Sequence, residues 1–268
     1  AYGGMRAVST VIRTEKGNAM SFPTSDGTSE VGEIIAENTT ATAQDPTFGT
    51  VSLNVFKAGS KVIAVPIELL QDSQIDVVGM ITKRIGERIG RTLNAGFTTG
   101  TGSGQPNGFV TAASTGKTGT TGQTTTVIYD DLVDLQESID YAYQQGGTCR
   151  WMMHQQTRKV IRKLKDANNR PVWIDSWDAG VTQGTAGSLL GMDVVINNDM
   201  AQPGANAKTI AYGDFSKYMI RDVMEMTILR FDDSAYAKLG QVGFLAWTRC
   251  GGNLLDTSGI KLYAHSAT

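Results

Sequence analysis

The chain has 268 residues, 40% hydrophobic and 19% charged, a balance that supports a packed core and excludes a disordered protein. Its formal net charge of −2 excludes a protein that coats nucleic acid through a positive field, though not one that encloses it at a distance. No apolar run approaches the ~18 residues of a membrane helix, so a membrane is not an expected partner.

The sequence opens on Ala1-Tyr2-Gly3, with no initiator methionine and no signal peptide. Either an upstream segment is removed by processing, or the numbering starts inside a longer gene product. Residues 1–28 are polar and Gly-containing, and read as an arm that orders against something else. Residues 29–68 read as an extended β-hairpin. One strand is expected over Val31 to Ala36 and a longer one from Val51 to Val65, around a polar tip from Glu37 to Gly49 with Pro46 near its apex. Such a hairpin has almost no core and needs a neighbour for support. Asp72 or Ser73 is the expected cap of a long helix with Ile75, Val78, Ile81, Ile85, Ile89 and Leu93 on one stripe, reaching about Phe97. Lys83, Arg84, Glu87, Arg88 and Arg91 fall on its other side, and Gly86 and Gly90 predict close approach by another element.

Residues 98–126 are mostly Thr, Gly and Ser, and mark a boundary between lobes. A second helix is expected with Asp130 as cap, Leu132, Leu135, Ile139 and Tyr143 as its apolar face, and Gly146-Gly147 as its end. A strand over Cys149 to Met153 precedes a third helix, Gln155 to Asp166, with Arg158, Lys159, Arg162, Lys163 and Lys165 outward. Strands follow over Met192 to Ile196, Thr209 to Tyr212, Val223 to Phe231, Gly243 to Arg249 and Ile260 to His265. Mixed elements without regular βαβ alternation argue for an α+β fold.

No constellation for catalysis emerges. Gly116-Lys117-Thr118 resembles the end of a phosphate-binding loop, but Thr111 stands where the pattern needs glycine. The glycines of 100–108 have the wrong spacing for a dinucleotide fingerprint. His154 and His265 lack neighbouring His or Cys at ligand spacing and read as structural. Cys149 and Cys250 read as free thiols packed as small apolar groups, in keeping with folding in a reducing compartment. Adjacent pairs such as Asp130-Asp131 and Asp232-Asp233 point apart, so turn and cap roles are expected. Asn38-Thr39-Thr40 matches a glycosylation sequon, a triplet that arises by chance. The basic face of 158–165 is either a solvated face or a contact for phosphate or an acidic surface. No enzyme, metal or cofactor is expected.

The order of parts carries a resemblance. The arm, the hairpin ending in Val65-Pro66-Ile67-Glu68-Leu69-Leu70-Gln71-Asp72-Ser73, the amphipathic helix and Gly100-Thr101-Gly102-Ser103-Gly104-Gln105-Pro106-Asn107-Gly108-Phe109 together resemble tailed-phage major capsid proteins of the Hong Kong-97 type. So do the turn Leu164-Lys165-Asp166-Ala167-Asn168-Asn169-Arg170-Pro171, the run Gly191-Met192-Asp193-Val194-Val195, and Tyr212-Gly213-Asp214-Phe215-Ser216. The resemblance covers nearly the whole chain.

It implies an arm (1–28), an extended loop over an adjacent subunit (29–68), a peripheral domain with a spine helix (69–126), an axial domain (127–222) and a return to the peripheral domain (223–268). It implies pentamers and hexamers forming an icosahedral phage head around double-stranded DNA, within a virion assembled in the bacterial cytoplasm. Portal, scaffolding and decoration proteins are the implied further partners. Asn38, Asp45, Pro46, Phe48, Arg84 and Arg88 are the candidate inter-subunit contacts, and Gly59 is a candidate point of adjustment in the hairpin. Precursors in this family commonly carry an N-terminal segment that is cleaved. The alternative is an encapsulin-type compartment, which shares the fold. Some family members cross-link their shells through a loop lysine aided by a buried carboxylate. Here no lysine lies between Glu37 and Phe56, and Phe244 to Gly252 holds no Asp or Glu. Boiled particles are therefore expected to run in detergent gels as one band near 28.7 kDa, and a ladder of multimers would contradict this.

Overall fold

The computed structural model describes residues 4–25, 32–43, 45, 48–166, 168, 169, 173 and 187–268. From the N-terminus come α1 (Met5–Val8), β1 (Thr10–Thr14), β2 (Ser21–Ser25), β3 (Phe48–Ser52), β4 (Phe56–Gly59) and β5 (Ile63–Pro66). Then follow α2 (Ile67–Asp72), α3 (Val77–Thr99), α4 (Phe109–Ala112), β6 (Ser114–Thr118), α5 (Tyr129–Glu137) and α6 (Tyr141–Gln144). The rest is β7 (Cys149–Met153), α7 (Gln155–Arg162), β8 (Ser188–Leu189), β9 (Met192–Ile196), β10 (Lys208–Asp214), β11 (Tyr218–Phe231), α8 (Ser234–Ala237), β12 (Gln241–Leu254) and β13 (Ile260–Ala264). Helices and sheets mix without βαβ repetition, which is the α+β class expected.

The spine of the molecule is α3. Val77, Ile81, Ile85, Ile89, Leu93 and Phe97 recur every four residues and are all buried. Each contributes about 1.5–3 kcal/mol of burial, enough to hold the helix against its unfavourable glycines. Its cap is Asp76, whose Oδ1 accepts from Gly79 N at 2.9 Å. The expected caps, Asp72 and Ser73, instead close α2, because Ser73 Oγ accepts from Ile75 N at 3.2 Å and turns the chain locally. Ile75 and Val78 are consequently exposed rather than on the buried stripe. The close approach expected at Gly86 is absent, since a Cβ there would meet open space. At Gly96 an added Cβ would meet the Pro106 ring at 3.4 Å.

A six-stranded sheet, β6-β13-β10-β7-β9-β8, separates two apolar cores. Strand alternation assigns the faces: Met152, Ala211 and Leu262 enter the core around α3, while Trp151, Met153, Ile210, Tyr212 and Tyr263 enter the other. The second core is roofed by α5, α6 and α7 through Leu132, Leu135, Tyr143 and Ile161, with Ile139 between the first two helices. The expected single helix from Asp130 to Tyr143 is two short ones. Ile128 precedes the first, and Asp131 Oδ2, not Asp130, accepts from its amide at 3.2 Å. Ser138 ends that helix and Asp140 caps the next, accepting from Ala142 N. α7 stops at Arg162, short of the expected Asp166, where Lys163 N turns onto Val160 O.

The second sheet joins β1, β11, β12 and β4, with β5 also on β12. β1 runs parallel to β11, from Thr10 opposite Met219 to Thr14 opposite Val223. A polar cluster ties α3 to the end of β9 in the six-stranded sheet: Asn94 Nδ2 donates to Asn197 Oδ1 at 2.8 Å, and Asn197 Nδ2 donates to Thr98 Oγ1 at 2.8 Å. Asn94 Oδ1 also accepts from Met5 N, which fastens α1 to α3.

The hairpin differs most from expectation. Residues 32–36 are not a strand, and Val31 lies outside the described residues. The strand antiparallel to β3 is β2, inside the expected arm, from Ser21 opposite Ser52 to Ser25 opposite Phe48. Its Ser-Phe-Pro-Thr-Ser sequence gives no apolar alternation, and Pro23 is tolerated because a two-stranded ribbon has an unpaired edge. The expected long returning strand is cut into β3, β4 and β5. Leu53 turns fully inward at the first break, and Lys61, at φ 60°, marks the second.

Gly59 is closely packed in this chain. It pairs with Trp247 on β12, and a Cβ there would stand 2.5 Å from the Trp247 ring. Lys57 Nζ lies 3.8 Å from the centroid of that ring. We expect Gly59→Val to lower the unfolding midpoint by an amount equivalent to about 1–3 kcal/mol, with Gly59→Ala milder. Unchanged melting curves for both would show that the contact is soft.

Candidate assembly surfaces

Among the described residues, three surfaces bring exposed apolar side chains together. The first is the projection that begins at β2 and β3. Every described residue from 32 to 43 is exposed, as is residue 45. Ile34 is 105% exposed and Phe48, at the start of β3, 72%. Isolated apolar residues on a surface mean little, but fully exposed ones on a ribbon with no core indicate a missing neighbour. The base of this ribbon is tied down: Leu53 N donates to Met20 O at 2.8 Å, and Asn253 Nδ2 to Ser52 O at 2.9 Å.

That base is organised by one buried cation. Arg221 on β11 is 2% exposed. Its Nε donates to Thr14 Oγ1 at 3.0 Å, its Nη1 to Asn18 O at 2.7 Å and Leu53 O at 3.2 Å, and its Nη2 to Lys16 O at 2.8 Å. A guanidinium is suited to this because its planar fork presents several donors at fixed angles. Next to it, Asp222 receives both terminal nitrogens of Arg6, at 2.8 and 2.6 Å, and holds that guanidinium's pKa above its ordinary value. The arm, the ribbon and β11 thus meet at two adjacent residues.

The second surface is the outer half of β11. Beyond a register shift between Val223 and Thr227, where Met224 takes φ 59°, every residue from 224 to 230 is exposed. Met224, Met226, Ile228 and Leu229 are among them. The pairing with β1 ends at Val223, opposite Thr14, so among the described residues this half of β11 is paired only with β12. An apolar strand with an unpaired edge is a ready docking template. The third surface is the junction of α2 and α3, where Ile67, Leu69, Ile75, Val78 and Met80 are exposed close in sequence.

The residues singled out from sequence fall on two of these elements. Asn38 (φ 62°), Asp45 and Phe48 are exposed on the projection. Pro46 lies outside the described residues. Arg84 and Arg88 sit one turn apart on the solvent side of α3, in line with exposed Met80. Sequence reading gave Val223 to Phe231 as a strand but not as an uncovered one. Its alternation of Met224, Met226 and Ile228 looks like any core-facing strand, and only the three-dimensional arrangement shows these side chains exposed.

The thiols and imidazoles have structural settings. Burial pushes the Cys149 thiol up to about 11 and the Cys250 thiol up to about 12, and both are free. His154 Nδ1 accepts from Gln156 N at 2.9 Å and caps α7. His265 Nδ1 lies 3.2 Å from Gln123 O, so it carries the proton, and Nε2 takes the Thr209 hydroxyl at 3.0 Å. Burial holds both imidazoles below their ordinary pKa of 6.5. The unfolded chain therefore takes up protons first, and stability falls as pH drops below about 6.5. We expect His265→Asn to flatten that fall in thermal melts, and an unaltered slope would remove His265 from the account. Among the described residues, no group of three or more His, Cys, Asp or Glu could hold a metal ion.

Comparison with known proteins places these surfaces in context. None of the curated proteins compared matches the sequence significantly. Among solved structures, the capsid of a native GTA particle superposes with TM-score 0.80 at 27% identity, covering 100% of this chain and 91% of that one. The structure from Gordonia phage Cozz gives TM-score 0.71 at 14% identity, covering 98% and 86%, and that from Mycobacterium phage Adephagia 0.71 at 14%, covering 99% and 91%. The fold is thus the Hong Kong-97 type expected from the order of motifs. A family model described as the phage capsid family matches residues 1–264, and the chain belongs to that family.

Proposed function

We propose that this chain is the major capsid protein of a tailed phage, which assembles as pentamers and hexamers into an icosahedral head enclosing double-stranded DNA. The observation that carries the reading is the exposed ribbon, with apolar side chains bared along a segment that has no core of its own. Such a segment gains its stability only by lying on another molecule. Several complementary surfaces on one subunit, related by rotations that close, generate rings and then a finite shell. Individually modest contacts become collectively strong when many engage together.

Within this reading the core around α3 is the peripheral domain and the core beneath α5, α6 and α7 the axial domain. The axial unit then takes in β6 and β13 besides residues 127–222. Asn38, Asp45, Pro46 and Phe48 act across the boundary with an adjacent subunit, and Arg84 and Arg88 serve as contacts from the spine. The chain works as structure and not as a catalyst. A net charge of −2 suits an inner wall that holds DNA without binding its sequence. Portal, scaffolding and decoration proteins are further partners in keeping with the family, and assembly takes place in the bacterial cytoplasm. The family match and the capsid neighbours favour this over an encapsulin-type compartment.

Size-exclusion chromatography with negative-stain microscopy tests the reading. Purified protein should elute as rings or closed shells. A rigid monomer at every concentration would overturn it.

A further inference from the structure

The two helices that flank the roof of the second core carry opposite charge. α5 and the turn into α6 present Asp130, Asp134, Glu137 and Asp140 to solvent. Lys117 pairs with Asp134, and with buried Asp131 at 3.8 Å, so the edge is partly compensated but stays acidic. α7 and its C-terminal turn present Lys159, Arg162, Lys163 and Lys165 to solvent, with Arg158 half-buried and one acid, Asp166, beside them. An open groove of about 480 Å³ runs along this basic stripe between Gln155 and Lys163.

Their placement on the sheet decides what these charges can meet. α5 packs against β6, β13 and β10, toward one edge of the six-stranded sheet. α7 follows β7, and its first residue, Gln155, donates its N–H to Asn198 Oδ1 just beyond β9, which places it toward the opposite side of the sheet. Both helices cover the same face. Among the described residues, Arg158, Lys159 and Lys163 form no ion pair within the chain. One subunit therefore shows an acidic flank and a basic flank on opposite sides of one layer. A surface that is complementary to a different part of its own copy makes a head-to-tail contact, and head-to-tail contacts related by a closing rotation make rings.

We propose that the acidic α5–α6 flank of one subunit docks on the basic α7 flank of the next, as the contact that closes each capsomer ring. The occupant of the α7 groove is a second copy of this chain. This rests on the shell-forming reading and adds to it the pairing that sets ring order. Opposite charge across such a contact steers encounter and fixes register more than it adds raw affinity. Phosphate, the other chemistry that would fit α7, offers no reason for the acidic flank opposite.

Paired charge reversals test it. One chain carries Asp130→Lys, Asp134→Lys and Glu137→Lys, so both flanks are basic; the other carries Lys159→Glu, Lys163→Glu and Lys165→Glu, so both are acidic. Each alone should lose rings and particles about tenfold or more against wild type. Co-expressed, the two should alternate, because every contact is again opposite in sign, and even-membered rings should return to within about threefold of wild type. Either reversed chain assembling alone like wild type would overturn the pairing while leaving the shell reading intact. So would failure of the mixture to recover when both chains melt as wild type does. If reversal unfolds a chain, Glu137→Gln and Lys163→Gln take its place. Each should then weaken assembly and reduce its salt dependence, and unchanged salt dependence would overturn the proposal. Wild-type protein that never assembles would overturn the shell reading itself, and this inference with it.

Discussion

Arg221→Ala is expected to destabilise the folded chain by about 3–5 kcal/mol and to release the N-terminal segment from the body of the protein. The substitution leaves the carbonyls of Lys16, Asn18 and Leu53 and the hydroxyl of Thr14 without their donor. Each buried acceptor left unsatisfied costs about 1–3 kcal/mol, and water entering the cavity recovers part of the sum. Arg221→Lys separates charge from geometry. It keeps the cation but replaces the fork with a single ammonium, which cannot reach three separated carbonyls, so about half the loss should persist. Thermal unfolding gives the magnitude. Limited proteolysis gives the location, with new cleavage expected between residues 14 and 20 before the core is attacked. Cleavage that first appears in α3, or a melting point within about 1 °C of wild type, would show that the arm is held by β1 pairing and not by the guanidinium.

Periodicity made much of this fold legible. The i, i+4 stripe of α3 needed only the spacing of Ile81, Ile85, Ile89 and Leu93, and β7, β9 and β13 are short apolar runs between turns, whereas β11 and β12 extend well beyond the expected 223–231 and 243–249. Errors came where local hydrogen bonding or distant pairing outranked periodicity. Ser73 and Asp76 both look like caps, and which one starts the helix depends on a turn that Ser73 makes with Ile75. β2 is a strand only because β3 lies beside it, and its own residues give no signal. Arg221 reads as an ordinary charge between Ile220 and Asp222, yet it is the most interior cation described, because the arm folds over it. Assembly surfaces are the hardest class. An uncovered apolar strand such as 224–230 and a covered one have the same sequence pattern, and the difference is the absence of a neighbour.

Deleting residues 32–43 is expected to abolish stable shells while leaving the monomer's melting point within about 0.5 kcal/mol equivalent of wild type. The segment contributes no residue to either apolar core, and every residue in it is exposed. Its internal bonds are local, such as Thr39 N to Ala36 O at 3.2 Å and the contact of Thr42 with Glu33. Removing it therefore costs the single chain almost nothing, and a shorter loop loses slightly less entropy on closure. In a shell the same segment would bring Ile34, Ile35 and Asn38 onto an adjacent subunit, where covering the isoleucines contributes about 1.5–3 kcal/mol each. A repeating contact of that size is lost once per subunit, so the effect on the particle multiplies while the effect on the monomer does not. Microscopy should show free rings or aggregates in place of closed heads, beside an unaltered unfolding curve. Normal heads with wild-type resistance to heat would mean the projection clasps nothing. Particles and monomer failing together would assign those residues to folding rather than assembly.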